Sequence, residues 1–214
     1  TTAKMEVNTK EAGNPIAQDV KKGAPRHYGI KAAFNYGCIP QTYENPEEVD
    51  PNVDIRALGD GDPLDAVELS DEPIEMGTLG EVIPVGVLCL IDEGEVDWKL
   101  FVLRADHPLV EKKRREKEVS RGGHRTSSTS PSTFNAPYLT LDDVEEHFPG
   151  KMSAIREWFR TYKTFEGKDE NKFGLNEEIK DGEFAWKVIF QCHHEWRDLV
   201  GGNNPRNLPI PDDL

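Results

Sequence analysis

Two apolar runs dominate the middle of the chain. Val82-Ile83-Pro84-Val85-Gly86-Val87-Leu88-Cys89-Leu90-Ile91 is rich in β-branched residues, and Val96 to Leu103 is a second such run. Asp92-Glu93-Gly94-Glu95 lies between them, polar and containing a glycine. Two apolar runs joined by a short Gly-containing loop predict a β-hairpin. Ala66-Val67-Glu68-Leu69 is a shorter strand-like segment upstream. In Lys4-Met5-Glu6-Val7 the charged residues alternate with apolar ones and so share one face of a strand. A loop opens at Asn14-Pro15, and Lys21-Lys22-Gly23 reads as an exposed hairpin tip.

The period lengthens in the second half. Thr140 starts a helix, with Asp143 three residues on as a capping-box variant, and Pro149-Gly150 ends it. Met152, Ile155, Trp158, Phe159 and Tyr162 recur at helical spacing and mark a core-facing stripe. Asp181 caps a last helix, in which Phe184, Val188, Cys192, Glu195 and Leu199 line one face and Gly201 ends it. The tail from Pro205 reads as extended. Between the hairpin and these helices, Leu109 to Pro137 breaks the pattern. Lys112-Lys113-Arg114-Arg115-Glu116-Lys117 is a charge run, and Ser120 to Thr133 is rich in Ser, Thr and Gly. Such a segment buries too little apolar surface to order itself, so a flexible insertion is expected over about 111–137. The sum is a mainly β chain, a small and mostly antiparallel barrel with two or three α-helices packed on it, in a single domain over 1–214.

Composition narrows the choice of partner. The formal charge of −14 disfavours nucleic acid and anionic membrane, which the surface at large would repel. An anionic substrate therefore needs a local positive site. The three cysteines, Cys38, Cys89 and Cys192, are scattered and lack CxxC spacing, so neither a disulfide framework nor a thiolate zinc site is indicated. No stretch approaches the length of a membrane span, and no signal peptide is visible. The chain opens at Thr1-Thr2 without an initiator Met, which reads as part of something longer.

The candidate chemistry sits in Asp60-Gly61-Asp62-Pro63-Leu64-Asp65, where three carboxylates lie within six residues with no basic side chain between them. Anions packed this tightly cost stability unless a cation sits among them. Hard divalent ions such as Mg²⁺ take oxygen ligands of this kind. An isolated acidic surface turn would look the same. An EF-hand loop fits poorly, because Leu64 occupies a ligand position and no Gly follows it. The hairpin supplies company: Asp92 and Asp97 meet near its mouth, with Lys99 two residues on along the same face.

With these motifs the sequence resembles the family I soluble inorganic pyrophosphatases of eukaryotic type, with an unusual Ser/Thr-rich insertion. The acidic loop D-x-D-P-x-D stands at Asp60 to Asp65, and the acidic hairpin D-E-G-E-x-D-x-K at Asp92 to Lys99. Asn35-Tyr36-Gly37-Cys38-Ile39-Pro40-Gln41-Thr42 and Glu157-Trp158-Phe159-Arg160-Thr161-Tyr162-Lys163 extend the likeness. The run from Arg26 to Ala33 departs from the longer eukaryotic pattern. The family also has a strand and a further glutamate upstream of Lys4. The resemblance makes the barrel OB-like and implies hydrolysis of pyrophosphate to two phosphates. It implies that Asp60, Asp65 and Asp97 hold a first metal, with Asp65 also serving a second, Asp92 and Asp97 a third and Glu6 a fourth. Two metals about 3.5–4 Å apart share a water and bring its pKa from about 15.7 toward 7. Asp62 is then the general base. Lys4, Arg26, Tyr36, Lys99, Tyr162 and Lys163 hold the phosphates. Without the resemblance Arg26 is an ordinary surface residue and Tyr36 a half-buried core tyrosine.

The implied ion is Mg²⁺, with Mn²⁺ or Zn²⁺ as substitutes, and the implied assembly a homo-oligomer, a dimer before a tetramer. Cytoplasm is the expected setting, and an acidic, polyphosphate-storing organelle of acidocalcisome type the alternative. Three rivals stand beside this reading. They are a tri- or polyphosphatase on the same site with a different metal, an OB-like nucleic-acid-binding module without turnover, and a passive divalent-cation binder.

Overall fold

The computed structural model describes residues 2–120 and 139–210. Six short strands come first: β1 (Thr2–Ala3), β2 (Met5–Val7), β3 (Ile16–Gln18), β4 (Val20–Lys21), β5 (Ala24–Pro25) and β6 (His27–Tyr28). They form three separate antiparallel ribbons, β1 with β6, β2 with β3 and β4 with β5. The β4–β5 turn is the hairpin tip expected at Lys22-Gly23, and both residues have the positive φ of 53° and 80° that so tight a reversal demands.

The remaining strands, β7 (Asn35–Cys38), β8 (Asp65–Glu68), β9 (Val82–Asp92), β10 (Glu95–Arg104), β11 (Lys172–Phe173) and β12 (Lys180–Asp181), make one six-stranded sheet. Its order is β11-β9-β10-β8-β7, with β12 also bonded to β9. The predicted hairpin is β9–β10. Its two-residue turn places Glu93 at φ 53° and Gly94 at φ 99°, the twist that matches the flanking strands. A bulge between Phe101 and Val102 accommodates Pro84, which has no N–H for the ladder. Among the described strands, pairings are antiparallel except β8 with β10, which runs parallel and sets Asp65 opposite Lys99.

Both faces of β9–β10 are covered, which is why the two strands read as continuous apolar runs and not as alternations. On one face Leu88, Leu90, Phe101 and Leu103 pack with Met152, Ile155 and Phe159. On the other, Val87, Cys89, Trp98, Leu100 and Val102 pack with Ala185, Val188 and Cys192. By strand parity Asp97 and Lys99 belong to the first face. The expected mainly β architecture with helices packed on it is present. No barrel closes among the described residues, because the ribbons stay apart from the sheet and β7 remains an edge.

Among the described residues four α-helices are present where two or three were expected: α1 (Pro108–Ser120), α2 (Leu141–His147), α3 (Lys151–Thr161) and α4 (Gly182–Val200). The predicted caps of α2 and α4 form. The Thr140 hydroxyl accepts from Asp143 N–H while the Asp143 carboxylate accepts from Thr140 N–H, and the Asp181 side chain accepts from Phe184 N–H. Helix α1 covers residues 111–120 of the segment expected as a flexible insertion. The charge run lies on a helix whose first turn buries Leu109 and Val110 in the main core. Lys113 further ties it to Asp143 of α2 at 2.5 Å. The rest of that predicted insertion, 121–137, lies outside the described residues. No helix among the described residues is long and apolar enough to cross a membrane.

Truncating Leu109 tests this placement. Leu109→Ala removes a core side chain and is expected to cost about 2–4 kcal/mol of unfolding free energy in urea titration. A cost near zero would return α1 to the status of a solvated linker.

Candidate active site

The acidic loop is held by a backbone ladder, with the Thr42 hydroxyl accepting from Leu64 N–H at 3.0 Å and Asp60 Oδ1 from Asp62 N–H at 2.9 Å. Glu44 N–H donates to Asp62 O at 3.0 Å, Gly61 N–H to Glu44 O at 2.9 Å, and Gly59 N–H to Asn45 O at 3.0 Å. At Gly59 a Cβ would stand 2.4 Å from the Glu44 carbonyl carbon, so only glycine allows the two segments this close. Gly61 sits at φ 88°, in the region that favours glycine.

This ladder brings in Glu44, which the sequence reading did not single out. Glu44, Asp60 and Asp97 each offer a carboxylate oxygen, and these oxygens lie within 4.8 Å of one another. Glu44 Oε1 accepts from Trp98 N–H, but its Oε2 is buried without a hydrogen-bond partner among the described residues. Desolvation, then the charges of Asp60 and Asp97, push the Glu44 carboxyl well above the usual range. Asp60 is pushed up by burial and by Asp97 and Asp62. Asp97 is raised by burial against the opposing pull of Lys99. Three converging hard oxygen donors, one of them orphaned, fit a divalent cation, whose charge would favour their ionised forms.

A second group is organised by Lys99, which is 1 % exposed. Its ammonium donates to Asp65 at 2.5 Å, to the Tyr36 hydroxyl at 3.0 Å, and to Asp97. Tyr36 donates in turn to Asp65. The register explains the convergence: Lys99 faces Asp65 across β8–β10, and Cys38, two residues from Tyr36, faces Asp65 across β7–β8. Burial disfavours the ammonium, yet Asp65 and Asp97 outweigh it and hold the Lys99 pKa above its ordinary value. At the hairpin mouth Lys163 pairs with both oxygens of Asp92, and the Tyr162 hydroxyl donates to Asp92 at 3.2 Å.

The third group is on the ribbons. Lys4 pairs with Glu6 and lies 3.9 Å from Asp19. Arg26 donates to Asp19 at 2.6 Å and to both oxygens of Glu166 at 2.7 and 2.9 Å. Asp19 and Glu166 were not foreseen, and nothing in local spacing pairs Arg26 with a residue 140 positions on. Asp62 connects the groups. Burial first, then Asp65 and Glu6, raise its carboxyl to about 6, with Lys99 and Lys4 opposing. Asp62 also lines, with Asp60 and Gly61, a cavity of about 560 Å³. Thr9, Lys10 and the C-terminal turn Arg206–Pro209 form its other walls. His193 and His194, adjacent on α4, stand apart from this site. The His193 ring nitrogen Nδ1 lies 2.8 Å from Gln41 O, and His194 is exposed beside Asp198.

The family model described as inorganic pyrophosphatase matches residues 1–130 and 131–197. The chain is 39 % identical over 202 residues to soluble inorganic pyrophosphatase 1, chloroplastic, of Chlamydomonas reinhardtii, covering 94 % of this chain and 62 % of that one. It is 39 % identical over 210 residues to an inorganic pyrophosphatase of Eremothecium gossypii, covering 94 % and 63 %. Among solved structures, an inorganic pyrophosphatase from T. brucei brucei superposes with a TM-score of 0.78 at 35 % identity, covering 94 % of this chain and 51 % of its own. A Trypanosoma cruzi vacuolar soluble pyrophosphatase, truncated at its N-terminal domain and in complex with PPi, gives 0.78 at 36 %, covering 94 % and 66 %. The chain thus spans about three-fifths of the length of these curated relatives. With a family model matched along most of its length, the chain belongs to the inorganic pyrophosphatase family.

Proposed function

We propose that this chain hydrolyses inorganic pyrophosphate to two phosphates, acting as a single domain with Mg²⁺ as its ion. The observation that carries the reading is the Glu44–Asp60–Asp97 cluster with its orphaned buried oxygen, set beside Asp62 and the lysine- and tyrosine-lined face of β10. Phosphoryl transfer asks for positioning and charge neutralisation and little covalent chemistry from the protein. Asp60, Asp65 and Asp97 are assigned to one ion, Asp65 also to a second, Asp92 with Asp97 to a third and Glu6 to a fourth; Glu44 joins Asp60 and Asp97. Bound there, Mg²⁺ would neutralise the phosphate and make an attacking water acidic at neutral pH.

The chain's own residues do the rest. Asp62, raised toward neutrality yet still largely ionised at pH 7, takes a proton from the attacking water. Lys4 and Arg26 grip one phosphoryl group from the ribbon side. Lys99, Lys163, Tyr36 and Tyr162 donate to the other and to the leaving oxygen. Their present partners are carboxylates of the same site, so substrate and ions would exchange one set of charge pairs for another without exposing any of them unpaired. A homo-oligomer and a cytoplasmic setting belong to this reading through the family likeness; an organelle form is the alternative, as relatives named chloroplastic and vacuolar exist.

Asp62→Asn and Asp65→Asn separate the roles. Asp62→Asn is expected to lower turnover at saturating Mg²⁺ by about 10²–10⁴-fold while calorimetry still finds the first ion bound. Asp65→Asn is expected to weaken ion binding itself. Near-normal turnover of Asp62→Asn on added metal would make Asp62 a ligand and sink its assignment as base.

Phosphate release is expected to stop in chelator and to be suppressed by excess Ca²⁺, whose larger radius and looser coordination occupy the carboxylates without placing the water. Full turnover in chelator, or with Ca²⁺ as the only metal, would contradict the metal assignment.

A further inference from the structure

The stretch after Arg26 carries a side chain that no motif assigned. Tyr28 ends β6 and lies two residues from Arg26. Backbone bonds fix it in place: Lys4 N–H donates to Arg26 O at 3.1 Å, and Thr2 of β1 pairs with Tyr28. Its ring meets Trp158 edge-on at 5.4 Å and lies 6.2 Å from the ring of Tyr162. The phenol is therefore held between the ribbon side of the site, with Lys4, Glu6 and Arg26, and the α3 side, with Tyr162.

The charges that act on the Tyr28 phenol are Asp65, Glu6, Lys99 and Asp97, which come from both of those sides and from the sheet between them. Burial first, then Asp65, push its pKa upward, so the hydroxyl keeps its proton. The two tyrosines already assigned have acceptors in hand, Asp65 for Tyr36 and Asp92 for Tyr162. Among the described residues the Tyr28 hydroxyl makes no such bond. A protonated donor without a protein acceptor, placed among groups assigned to ions and phosphates, awaits an anionic oxygen.

We infer that Tyr28 is a substrate-binding residue, its hydroxyl donating a hydrogen bond to a phosphoryl oxygen of pyrophosphate between Arg26 and Tyr162. This rests on the proposed pyrophosphatase reading and adds a contact in the stretch where this chain departs from the longer eukaryotic pattern.

Tyr28→Phe keeps the ring on Trp158 and removes only the donor; Tyr28→Leu removes both. Binding of imidodiphosphate, a hydrolysis-resistant analogue, is to be measured by calorimetry with Mg²⁺, alongside KM and kcat for pyrophosphate and the thermal midpoint. A hydrogen bond to a charged group predicts that Tyr28→Phe weakens analogue binding and raises KM by about 10- to 100-fold, with the midpoint unchanged. Tyr28→Leu should lower the midpoint as well. An active wild type with a Phe variant of equal KM and analogue affinity would overturn the role of Tyr28 and leave the pyrophosphatase reading standing. A wild type that neither binds the analogue nor releases phosphate would overturn that reading and the inference together.

Discussion

A buried ammonium holds this structure's chemistry together. Lys99 lies inside the sheet's helix-covered face, in contact with Asp65 and Asp97 and 5.3 Å from the ring of Phe159. A lone cation there would be untenable, and so would two lone carboxylates; each side's burial is tolerable only because of the other. The parallel pairing of β8 with β10 sets that contact, and it places the C-terminal end of the acidic loop against the hairpin. Asp60, Glu44 and Asp62 take their positions from the same join, since the loop that carries them ends at Asp65. The result is a concentration of negative charge that lysines partly balance and that leaves one carboxylate oxygen of Glu44 without a hydrogen-bond partner among the described residues.

How much of this was legible depends on whether the signal was local. The β9–β10 hairpin announced itself because both faces are covered, so neither strand needs polar positions until its mouth. The three later helices were legible from caps and stripes: Thr140 with Asp143, the Met152-to-Tyr162 stripe, and Asp181. Helix α1 was not, because Leu109 and Val110 are its buried core residues among those described and the charge run hides the rest. Nor was the parallel β8–β10 pair, as nothing in Ala66 to Leu69 says which neighbour it will take. Among site residues, Asp60 to Asp65 and Asp92 to Lys99 stood out by density. Glu44 is a single acidic residue before Asn45-Pro46, indistinguishable in sequence from a turn; only the backbone ladder to residues 59–62 turns it inward. Arg26 was placed by resemblance alone, and its partners Asp19 and Glu166 required the fold.

The site thus draws on two kinds of scaffold. Asp60, Asp62, Asp65, Asp92, Asp97, Lys99 and Tyr36 sit on or beside the six-stranded sheet. Lys4, Glu6, Arg26 and Tyr28 sit on ribbons of two or three residues per strand. Every backbone hydrogen bond of residues 2–28 among the described residues stays within that segment. Its ties to the rest are side chains: Arg26 and Lys21 to Glu166, and the Tyr28 ring to Trp158 and Tyr162.

That division has a consequence for the order in which the molecule comes apart. Opening free energies vary across a native structure, and segments with few buried contacts and no ladder to the core lie at the low end. The ribbon segment can detach by breaking two ion pairs and an aromatic contact, with the sheet and its carboxylates left whole. Native-state hydrogen exchange would then show the amides of residues 2–28 opening as one unit ahead of β9 and β10. In such a sub-globally opened species the chain would keep Asp60, Asp65, Asp92 and Asp97 and lose Lys4, Glu6 and Arg26, so affinity for the ions assigned to the sheet side and affinity for the anion would decay at different denaturant concentrations.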